Sequence, residues 1–317
     1  MTGALLVTGA TGFVGRALIA SLADEPRPVI ALVRRLRDDL PAHVIQRIAA
    51  PMELLDQDGW LTVLEGVEVV VHLAAIAHIG PDVPEDRYDA VNHRAVVALA
   101  EAAAAAGVRR IVFMSSIRAQ TGAHADSVLS EATPPAPTDA YGHAKLAAEQ
   151  ALAQSGVDHV VLRPTVIVGN EAKGNLALLL RLADTPLPLP FATLSAKRSM
   201  VSLDDVVAIT RRAIDDPAMA GGTFILADPE PVGFGEALAA LRRGLGRRER
   251  LFAVPEMLLA LPFRLLGRRD IWERVGAPLV ARPDALSAIG YRTRLTARAA
   301  LEALGRAAGM INSRRAR

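Results

Sequence analysis

Tyr141 and Lys145, four residues apart, are the side chains in this sequence best suited to proton transfer. Residues four apart lie on the same face of a helix, so the phenol and the ammonium can point to one place. Free tyrosine has a pKa of about 10, and a neighbouring ammonium favours the phenolate and lowers that pKa. We therefore expect Tyr141 to exchange a proton with a substrate and Lys145 to lower the pKa of Tyr141.

Two serines, Ser115 and Ser116, directly follow the apolar run that ends in Phe113-Met114. A serine hydroxyl at the end of a buried strand can hold a carbonyl oxygen beside a catalytic tyrosine. It can equally form a local hydrogen bond to the backbone. Either serine fits this catalytic role from the sequence alone.

Three glycines, Gly9, Gly12 and Gly15, separate the apolar run Ala4–Val7 from the helical pattern Phe13–Leu22. This order predicts a strand, a tight turn and the start of a helix. A turn without Cβ atoms lets a diphosphate approach closely, and the free N–H groups of the first helical turn bind its charge. The usual dinucleotide fingerprint spaces its glycines by one residue and then two, whereas here two residues separate each pair. We predict a dinucleotide site at this turn.

Apolar runs without alternation, such as Val69–Val71 and Ile111–Phe113, are typical of strands covered on both faces of a parallel sheet. Helical patterns at Asn92–Ala106 and Tyr141–Ser155 alternate with the strands. The predicted strands are Ala4–Val7, Val29–Val33, Val44–Ile48, Val67–Leu73, Arg110–Met114 and His159–Leu162. The pattern predicts an α/β fold with a Rossmann-type, doubly wound parallel sheet.

The second half of the chain has a different character, with proline-rich stretches and the helical patterns Gly235–Arg243 and Thr296–Ala308. We expect residues 1–165 to form the dinucleotide-binding domain, to which the chain returns near residues 200–226. Residues 166–317 then form mainly a smaller substrate-binding lobe. Its apolar segment Leu251–Gly267 fits a buried helical pair or a surface for a membrane or a partner.

The composition excludes several classes of protein. The 317 residues contain no cysteine, which excludes disulfides and thiolate metal sites, and we expect no bound metal. Aromatic residues make up 4 % and the net charge is +2, so we expect no nucleic-acid partner. No apolar run of transmembrane length occurs, and Met1 lies almost directly before the first strand. We therefore expect no signal peptide, no transmembrane segment and a cytoplasmic location.

Together these motifs resemble the extended short-chain dehydrogenase/reductase family, in its NAD-dependent epimerase/dehydratase branch. The resemblance runs in order over about residues 4–210. The matching pieces are Thr8–Gly15, His72–Ala75, Val91-Asn92, Ser115-Ser116, Tyr141–Lys145 and Arg163-Pro164.

The resemblance implies a role for each matching position. Tyr141 would be the acid/base, Lys145 would hold the nicotinamide ribose, Ser116 would bind the reacting oxygen and Asn92 would brace the active-site helix. The pyrophosphate and the rest of the coenzyme would contact Gly9, Thr11, Gly12, Phe13, Gly15, Ala74 and Pro164. Ser116, Asn175 and Arg198 would contact the substrate, since arginine suits the oxygens of a nucleotide diphosphate.

The implied activity is hydride transfer to or from C4 of a nucleotide-linked sugar, as in enzymes of cell-surface polysaccharide synthesis. We favour a 4-ketoreductase. The alternative is a 4-epimerase that keeps NAD bound, and a rival of another class is a non-catalytic dinucleotide-sensing protein. A dehydratase is disfavoured because Ile117-Arg118 replaces the usual Asp-Glu pair. Relatives of this type commonly pair the two long helices across a dimer axis, so we expect a homodimer.

Arg34 and Arg35 follow the second predicted strand, where the family often has an acidic residue that binds the ribose 2′-hydroxyl. Two guanidinium groups without a carboxylate suit a 2′-phosphate better. We therefore expect NADP to be preferred over NAD.

Overall fold

The computed structural model describes residues 3–76, 83–170, 174–194, 196–265 and 276–315. Numbered along the chain, the strands are β1 (Ala4–Thr8), β2 (Val29–Val33), β3 (Val44–Ile48), β4 (Val67–His72), β5 (Arg110–Met114), β6 (Asp158–Pro164), β7 (Val166–Val168), β8 (Lys197–Arg198), β9 (Met200–Ser202), β10 (Thr223–Leu226) and β11 (Val232–Gly233). The α-helices are α1 (Phe13–Ser21), α2 (Gln57–Val63), α3 (Glu85–Asp89), α4 (Ala95–Ala105), α5 (Ala140–Gln154), α6 (Gly174–Ala183), α7 (Leu203–Asp215), α8 (Phe234–Gly244), α9 (Glu256–Leu265), α10 (Asp284–Ala288) and α11 (Ala297–Arg315).

Within the described residues, the main sheet has seven parallel strands in the order β3-β2-β1-β4-β5-β6-β10. The predicted parallel α/β sheet is therefore confirmed. The order of the strands reverses between β1 and β4. In open parallel sheets a ligand crevice opens at such a point, beyond the carboxyl ends of the strands.

Helices cover both faces of this sheet, which explains why its strands are apolar without alternation. On one face, Leu18 and Ile19 of α1 and Ile209 of α7 are fully or almost fully buried. On the other face, Trp60 of α2 and Leu99 of α4 are completely buried. The sheet is thus covered on both faces, and a site can form at the ends of its strands.

The helix predicted to begin at Asn92 starts differently from the expectation. Residues Ala90–Arg94 form a π-helical turn, and the regular helix α4 begins only at Ala95. Single π-helical turns of this kind widen a helix locally and are frequent at functional sites. Asn92, in the middle of this turn, is completely buried.

The chain rejoins the main sheet late in the sequence. β10 pairs with β6, with Phe224 beside Leu162, and α7 packs against α1. A second hydrophobic core lies outside the sheet, between α6, α8 and α11, and contains Leu238 and Leu301. No helix in the described ranges is both long enough and apolar enough to cross a membrane.

Two glycines allow α8 and α11 to pack backbone against backbone. A Cβ atom on Gly305 would collide with the carbonyl oxygen of Leu241, and one on Gly244 would collide with that of Glu302. Gly309, one turn further along α11, has room, because its Cβ would lie 3.8 Å from the nearest atom of Leu245. Gly305 and Gly309 therefore lie on the same helix but differ in the space around them.

We predict opposite effects of alanine at these two positions of α11. Gly305→Ala should lower the free energy of unfolding by about 1–3 kcal/mol, because the helices must separate. Gly309→Ala should be neutral or stabilising by up to about 1 kcal/mol, since alanine favours the helix. Urea unfolding measures both values, and equal effects of the two substitutions would contradict the close packing.

Candidate active site

The predicted site residues gather at the carboxyl ends of the parallel strands. The glycine turn follows β1, Arg34 and Arg35 follow β2, and Ser115 and Ser116 follow β5. Helix α5, which carries Tyr141 and Lys145, begins above the end of β5 and packs against the short 3₁₀ helix Ile117–Ala119. The candidate site therefore lies in the crevice that the strand order creates.

The turn after β1 has the geometry of a diphosphate cradle. Gly9 has a φ of +68°, and a Cβ there would lie 2.7 Å from the backbone nitrogen of Ala74. A Cβ on Gly15 would collide with the carbonyl oxygen of Gly9. Gly12 is the N-cap of α1 and provides no side-chain cap, and the first turn of α1 has no acidic residue. The first N–H groups of α1 thus suit an anionic ligand, and these residues fit a dinucleotide.

The other residues expected beside a dinucleotide lie around this cradle. Phe13 is the first residue of α1, and the backbone oxygen of Thr11 accepts a hydrogen bond from Nε of Arg16 at 3.1 Å. The backbone N–H of Ala74 donates to Oγ1 of Thr8 at 3.3 Å. Pro164 is buried at the end of β6.

Arg34 and Arg35 are exposed just beyond β2. Neither forms an ion pair with another described residue. In contrast, Asp39 on the same loop is already paired with Arg16 at 2.7 Å and with Arg37 at 2.8 Å. The end of β2 therefore carries positive charge that is free to meet a ligand.

Asn92 fastens the loop that follows β4. Its Oδ1 accepts a hydrogen bond from the backbone nitrogen of Ile76 at 2.8 Å, and its Nδ2 donates to the Ile76 oxygen at 2.9 Å. The Asn92 amide thus pairs with both the backbone N–H and the backbone C=O of Ile76, just beyond the end of β4. The π-helical turn that carries Asn92 packs against both α4 and α5.

Tyr141 and Ser116 lie next to each other at the centre of the crevice. The Ser116 hydroxyl lies near the Tyr141 side chain and favours its phenolate, which lowers the pKa of Tyr141. Ser116 Oγ also accepts from the backbone nitrogen of Arg118 at 3.2 Å. Burial has the larger effect and raises the pKa of Tyr141 to about 12.

Lys145 is almost completely buried one helical turn beyond Tyr141. Its Nζ donates to the backbone oxygen of Met114 at 2.8 Å and lies 4.5 Å from the centre of the Phe113 ring. Burial lowers the pKa of Lys145 to about 7, and the nearby Glu149 carboxylate opposes this shift. The expected lowering of the Tyr141 pKa by Lys145 is therefore not found. The groups that lower it are Ser116 and Arg118, and burial outweighs both.

The two serines have different partners. Ser115 Oγ donates a hydrogen bond to Glu149, and Glu149 accepts from Nε of Arg163 at 3.0 Å. All three side chains are buried. Ser115 is thereby committed to a closed polar network between β5, α5 and β6, whereas Ser116 faces Tyr141.

Two further charged residues border the site. Arg118 forms an ion pair with Asp139, whose carboxylate also caps α5 by accepting from the Gly142 nitrogen at 2.7 Å. Arg198 donates to the backbone oxygens of Ala277 and Ala123 at 2.8 and 2.9 Å. Burial, together with the charge on Arg118, lowers the pKa of Arg198 to about 10. The two guanidinium groups are therefore close enough to interact.

Three residues of this site were not expected from the sequence: Asp139, Glu149 and Arg118. Two of them had a signal. Asp139 precedes a helical pattern, where aspartate is a preferred N-cap. Glu149 continues the four-residue spacing of Tyr141 and Lys145 and so lies on the same helix face. Arg118 had no such signal beyond its place after the serines. Asn175 lies on α6, and its side chain falls outside the described part of the structure.

Comparisons with known proteins agree with this geometry. The model of the NAD dependent epimerase/dehydratase family matches residues 5–227. A UDP-glucose 4-epimerase from Vibrio cholerae is 32 % identical over 88 % of this chain and 87 % of its own length. A 3 beta-hydroxysteroid dehydrogenase/Delta 5-->4-isomerase from Mycobacterium tuberculosis is 28 % identical over 78 % of this chain and 70 % of its own length.

Among solved structures, MoeE5 in complex with UDP-glucose and NAD is similar over 99 % of both chains, with 25 % identity and a TM-score of 0.74. The fold and the site define an NAD(P)-dependent enzyme of the short-chain dehydrogenase/reductase type. More particularly, the chain belongs to the NAD dependent epimerase/dehydratase family.

The burial of Lys145 predicts a pH-dependent stability. The pKa of Lys145 is lowered to about 7 in the folded protein, against about 10.4 in an unfolded chain. Because the folded-state pKa is the lower one, the buried ammonium destabilises the fold below about pH 7. This destabilisation disappears between about pH 7 and pH 10.

Lys145→Met should therefore change the free energy of unfolding in a pH-dependent way. The difference from the original protein should favour the variant by about 2–4 kcal/mol more at pH 6 than at pH 9.5. Urea unfolding of the coenzyme-free protein at the two pH values measures it. Lys197→Met is the control, since Lys197 is 51 % exposed. A pH-independent difference for Lys145→Met would show that Lys145 keeps an ordinary pKa.

Proposed function

We propose that this protein is an NAD(P)-dependent oxidoreductase that acts at C4 of a nucleotide-linked sugar. The observation that carries the proposal is the position of the Ser116 hydroxyl near Tyr141, with Lys145 one helical turn away on α5. This pair faces the same crevice as the glycine turn, so a redox cofactor and an alcohol or ketone can meet there. Bound NAD(P) supplies the hydride donor or acceptor.

Residues of the chain would hold the dinucleotide at several points. The N–H groups of the first turn of α1 would bind the pyrophosphate next to Gly9, Gly12 and Gly15, and at Gly9 and Gly15 a side chain would collide with the backbone. Lys145 holds the nicotinamide ribose with its ammonium. Thr11, Phe13, Ala74 and Pro164 border the rest of the coenzyme.

Tyr141 moves the proton at the substrate oxygen. In ketone reduction the Tyr141 hydroxyl donates its proton to the carbonyl oxygen, and in alcohol oxidation the phenolate accepts the proton of the hydroxyl. The Ser116 hydroxyl donates a hydrogen bond to the same oxygen and stabilises the negative charge that develops there. Burial of Tyr141 and Lys145 keeps water away from this transfer.

The substrate class rests on Arg198 and on the relatives. Arg198 lies near Arg118 at the border of the site, and guanidinium groups bind the oxygens of a nucleotide diphosphate. Asn175 is a second candidate contact. The Vibrio cholerae relative is a UDP-glucose 4-epimerase, and the MoeE5 structure contains UDP-glucose. These names favour a sugar linked to UDP over a steroid.

Two reactions remain compatible with the same residues. A 4-ketoreductase exchanges its coenzyme in every turnover, whereas a 4-epimerase keeps NAD bound and returns the hydride to the opposite face of the sugar. The 4-epimerase relative favours the second reaction, and the arginines after β2 favour the first through NADP. A non-catalytic dinucleotide sensor is not favoured, because both Tyr141 and Lys145 are present and close together.

The decisive test is activity of the Tyr141→Phe variant. The purified protein is assayed for interconversion of UDP-glucose and UDP-galactose, and for oxidation of NADPH with a nucleotide-linked 4-keto-6-deoxy sugar. Tyr141→Phe should keep coenzyme affinity but lose at least about 100-fold in kcat, because the proton donor is gone. Near-full activity of this variant would remove Tyr141 from the mechanism.

The two serines make a matched pair for the same assay. Ser116→Ala should lower kcat by about 30-fold to 1,000-fold, since it removes one hydrogen bond to the developing oxyanion. Ser115→Ala should lower thermal stability through the loss of the Glu149 contact and leave kcat within a few-fold of the original value. The reverse result would move the catalytic role to Ser115.

The coenzyme preference depends on the free arginines after β2. We propose that Arg34 and Arg35 bind the 2′-phosphate of NADP, which should strengthen NADPH binding over NADH by about 1.5–3 kcal/mol. Fluorescence titration with both coenzymes measures this preference. Arg34→Asp should reduce or reverse it, whereas tighter binding of NADH by the original protein would rule out the proposal.

We also propose a homodimer through the outer faces of α4 and α5. These adjacent helices carry small residues such as Ala98 and Ala147, and a surface groove of about 720 Å³ lies between α5 and the α3 segment. Helices from two copies can approach closely there in a self-complementary contact. Light scattering at micromolar concentration should give the mass of a dimer, and Ala147→Arg should give a monomer. A monomeric original protein would contradict this arrangement.

A further inference from the structure

A group of large apolar side chains beside the second core has no cover in the described structure. Phe252, Met257, Leu258 and Leu261, which we call the apolar patch, are 47, 76, 58 and 49 % exposed. Single exposed apolar residues are common on proteins, but four within ten residues are not scattered. None of the catalytic or coenzyme roles proposed above uses them.

Three of the four patch residues lie on one side of a helix, and Phe252 precedes that helix. Met257, Leu258 and Leu261 occupy positions i, i+1 and i+4 of α9, which lie within a narrow sector of a helix. Ala260 of the same helix is buried and Leu259 is half-buried, whereas the three patch residues of α9 are exposed to solvent. A surface helix of a water-soluble fold usually turns its large apolar side chains to the core.

The segment that carries Phe252 is attached to the fold through its backbone. The backbone nitrogen of Phe252 donates to the oxygen of Leu189 at 3.0 Å, and the Phe252 oxygen accepts from the nitrogen of Ala192 at 3.2 Å. The Thr193 hydroxyl donates to the oxygen of Val254. The chain from Leu189 leads within a few residues to β8 and Arg198, so the patch borders the lobe that holds the candidate diphosphate contact.

Positive charge lies directly beside the patch. Arg248 and Arg250 are exposed, and neither forms an ion pair within the part of the chain that the structure describes. The neighbouring charges largely offset each other, with Glu249 paired to Arg243 at 2.6 Å and Arg247 paired to Asp184. Glu256, in the first turn of α9, is the acidic residue of this surface.

We propose that the apolar patch docks on an anionic phospholipid surface. The four apolar side chains enter the boundary between headgroups and acyl chains, and Arg248 and Arg250 contact lipid phosphates, as in other amphipathic helices that lie in a membrane interface. A contact between two copies of this chain fits less well. In a two-fold contact the same unpaired arginines of both copies would border one interface and repel each other. This docking is independent of the proposed reaction.

The test is co-sedimentation of the full-length protein with vesicles. Vesicles of equal parts phosphatidylglycerol and phosphatidylcholine should bind the protein, and vesicles of phosphatidylcholine alone should bind it at least about tenfold less. Met257→Ser combined with Leu261→Ser should weaken binding to the anionic vesicles by at least about tenfold. Arg248→Glu combined with Arg250→Glu should have an effect of similar size and remove most of the salt dependence.

Matched controls separate docking from general changes in surface or stability. Leu54 and Val128 are 72 and 52 % exposed outside the patch, so Leu54→Ser with Val128→Ser should leave vesicle binding unchanged. Arg282→Glu with Arg292→Glu is the corresponding control for charge. The melting temperature of each variant shows whether the variant is folded. The comparison of the two vesicle compositions uses the original protein and needs no variant.

Three results would overturn the proposal. The first is an original protein that stays in the supernatant with anionic vesicles, and the second is equal sedimentation of the patch and control variants. The third is conversion of a lipid-free dimer to a monomer by Met257→Ser with Leu261→Ser, which would assign the patch to a second copy of the chain.

Discussion

The buried ion pair between Glu149 and Arg163 connects the elements on which the candidate site depends. Arg163 belongs to β6 and Glu149 to α5, and Nε of Arg163 donates to Oε1 of Glu149 at 3.0 Å. The same carboxylate accepts from Ser115 at the end of β5. A carboxylate this deeply buried is tolerated only when its oxygens are paired and hydrogen-bonded. The pair therefore allows few orientations of α5 over the sheet.

The ion pair of Glu149 affects the catalytic residues because they lie on the same face of α5. Tyr141, Lys145 and Glu149 follow one another at four-residue intervals on α5, so fixing Glu149 also fixes the other two. Burial lowers the pKa of Lys145 to about 7, and the negative charge of Glu149 opposes this shift. At the other end of this face, Asp139 caps the helix and pairs with Arg118 beside Ser116. Both ends of the catalytic segment are thus held by charges of the chain itself.

The two halves of the molecule differ in what their packing permits. The parallel sheet is covered by helices on both faces, so its loops at the carboxyl ends carry the glycine turn, the serines and the free arginines. In the second core, α8 and α11 pack closely at two glycines. Helix α9 exposes large apolar side chains to solvent. The surface beside Phe252 includes Met257, Leu258 and Leu261 of α9, which are exposed.

Much of the architecture was predictable from local sequence patterns. The bounds of β2, β3 and β5 agree with the predicted ones. For β2 and β5 the reason is that buried parallel strands are short, mainly apolar runs. The role of Gly9 and Gly15 was also predictable from the sequence. A Cβ atom at either position would collide with a neighbouring backbone, so the turn requires glycine there. The spacing of Tyr141 and Lys145 was sufficient to place them on one helix face.

Only the tertiary structure decided the protonation equilibria and the partners of the site. The sequence suggested that Lys145 lowers the pKa of Tyr141, but burial raises that pKa to about 12, because desolvation depends on how the surrounding elements pack. Ser115 and Ser116 are chemically identical neighbours at the end of β5, but they face different directions. Ser115 therefore meets Glu149, and Ser116 meets Tyr141. The sequence by itself determined which elements form and which residues can do chemistry. The contacts between elements distant in the chain, such as Glu149 with Arg163 and Arg118 with Asp139, determined which of them meet, because no local pattern encodes a long-range pairing of charges.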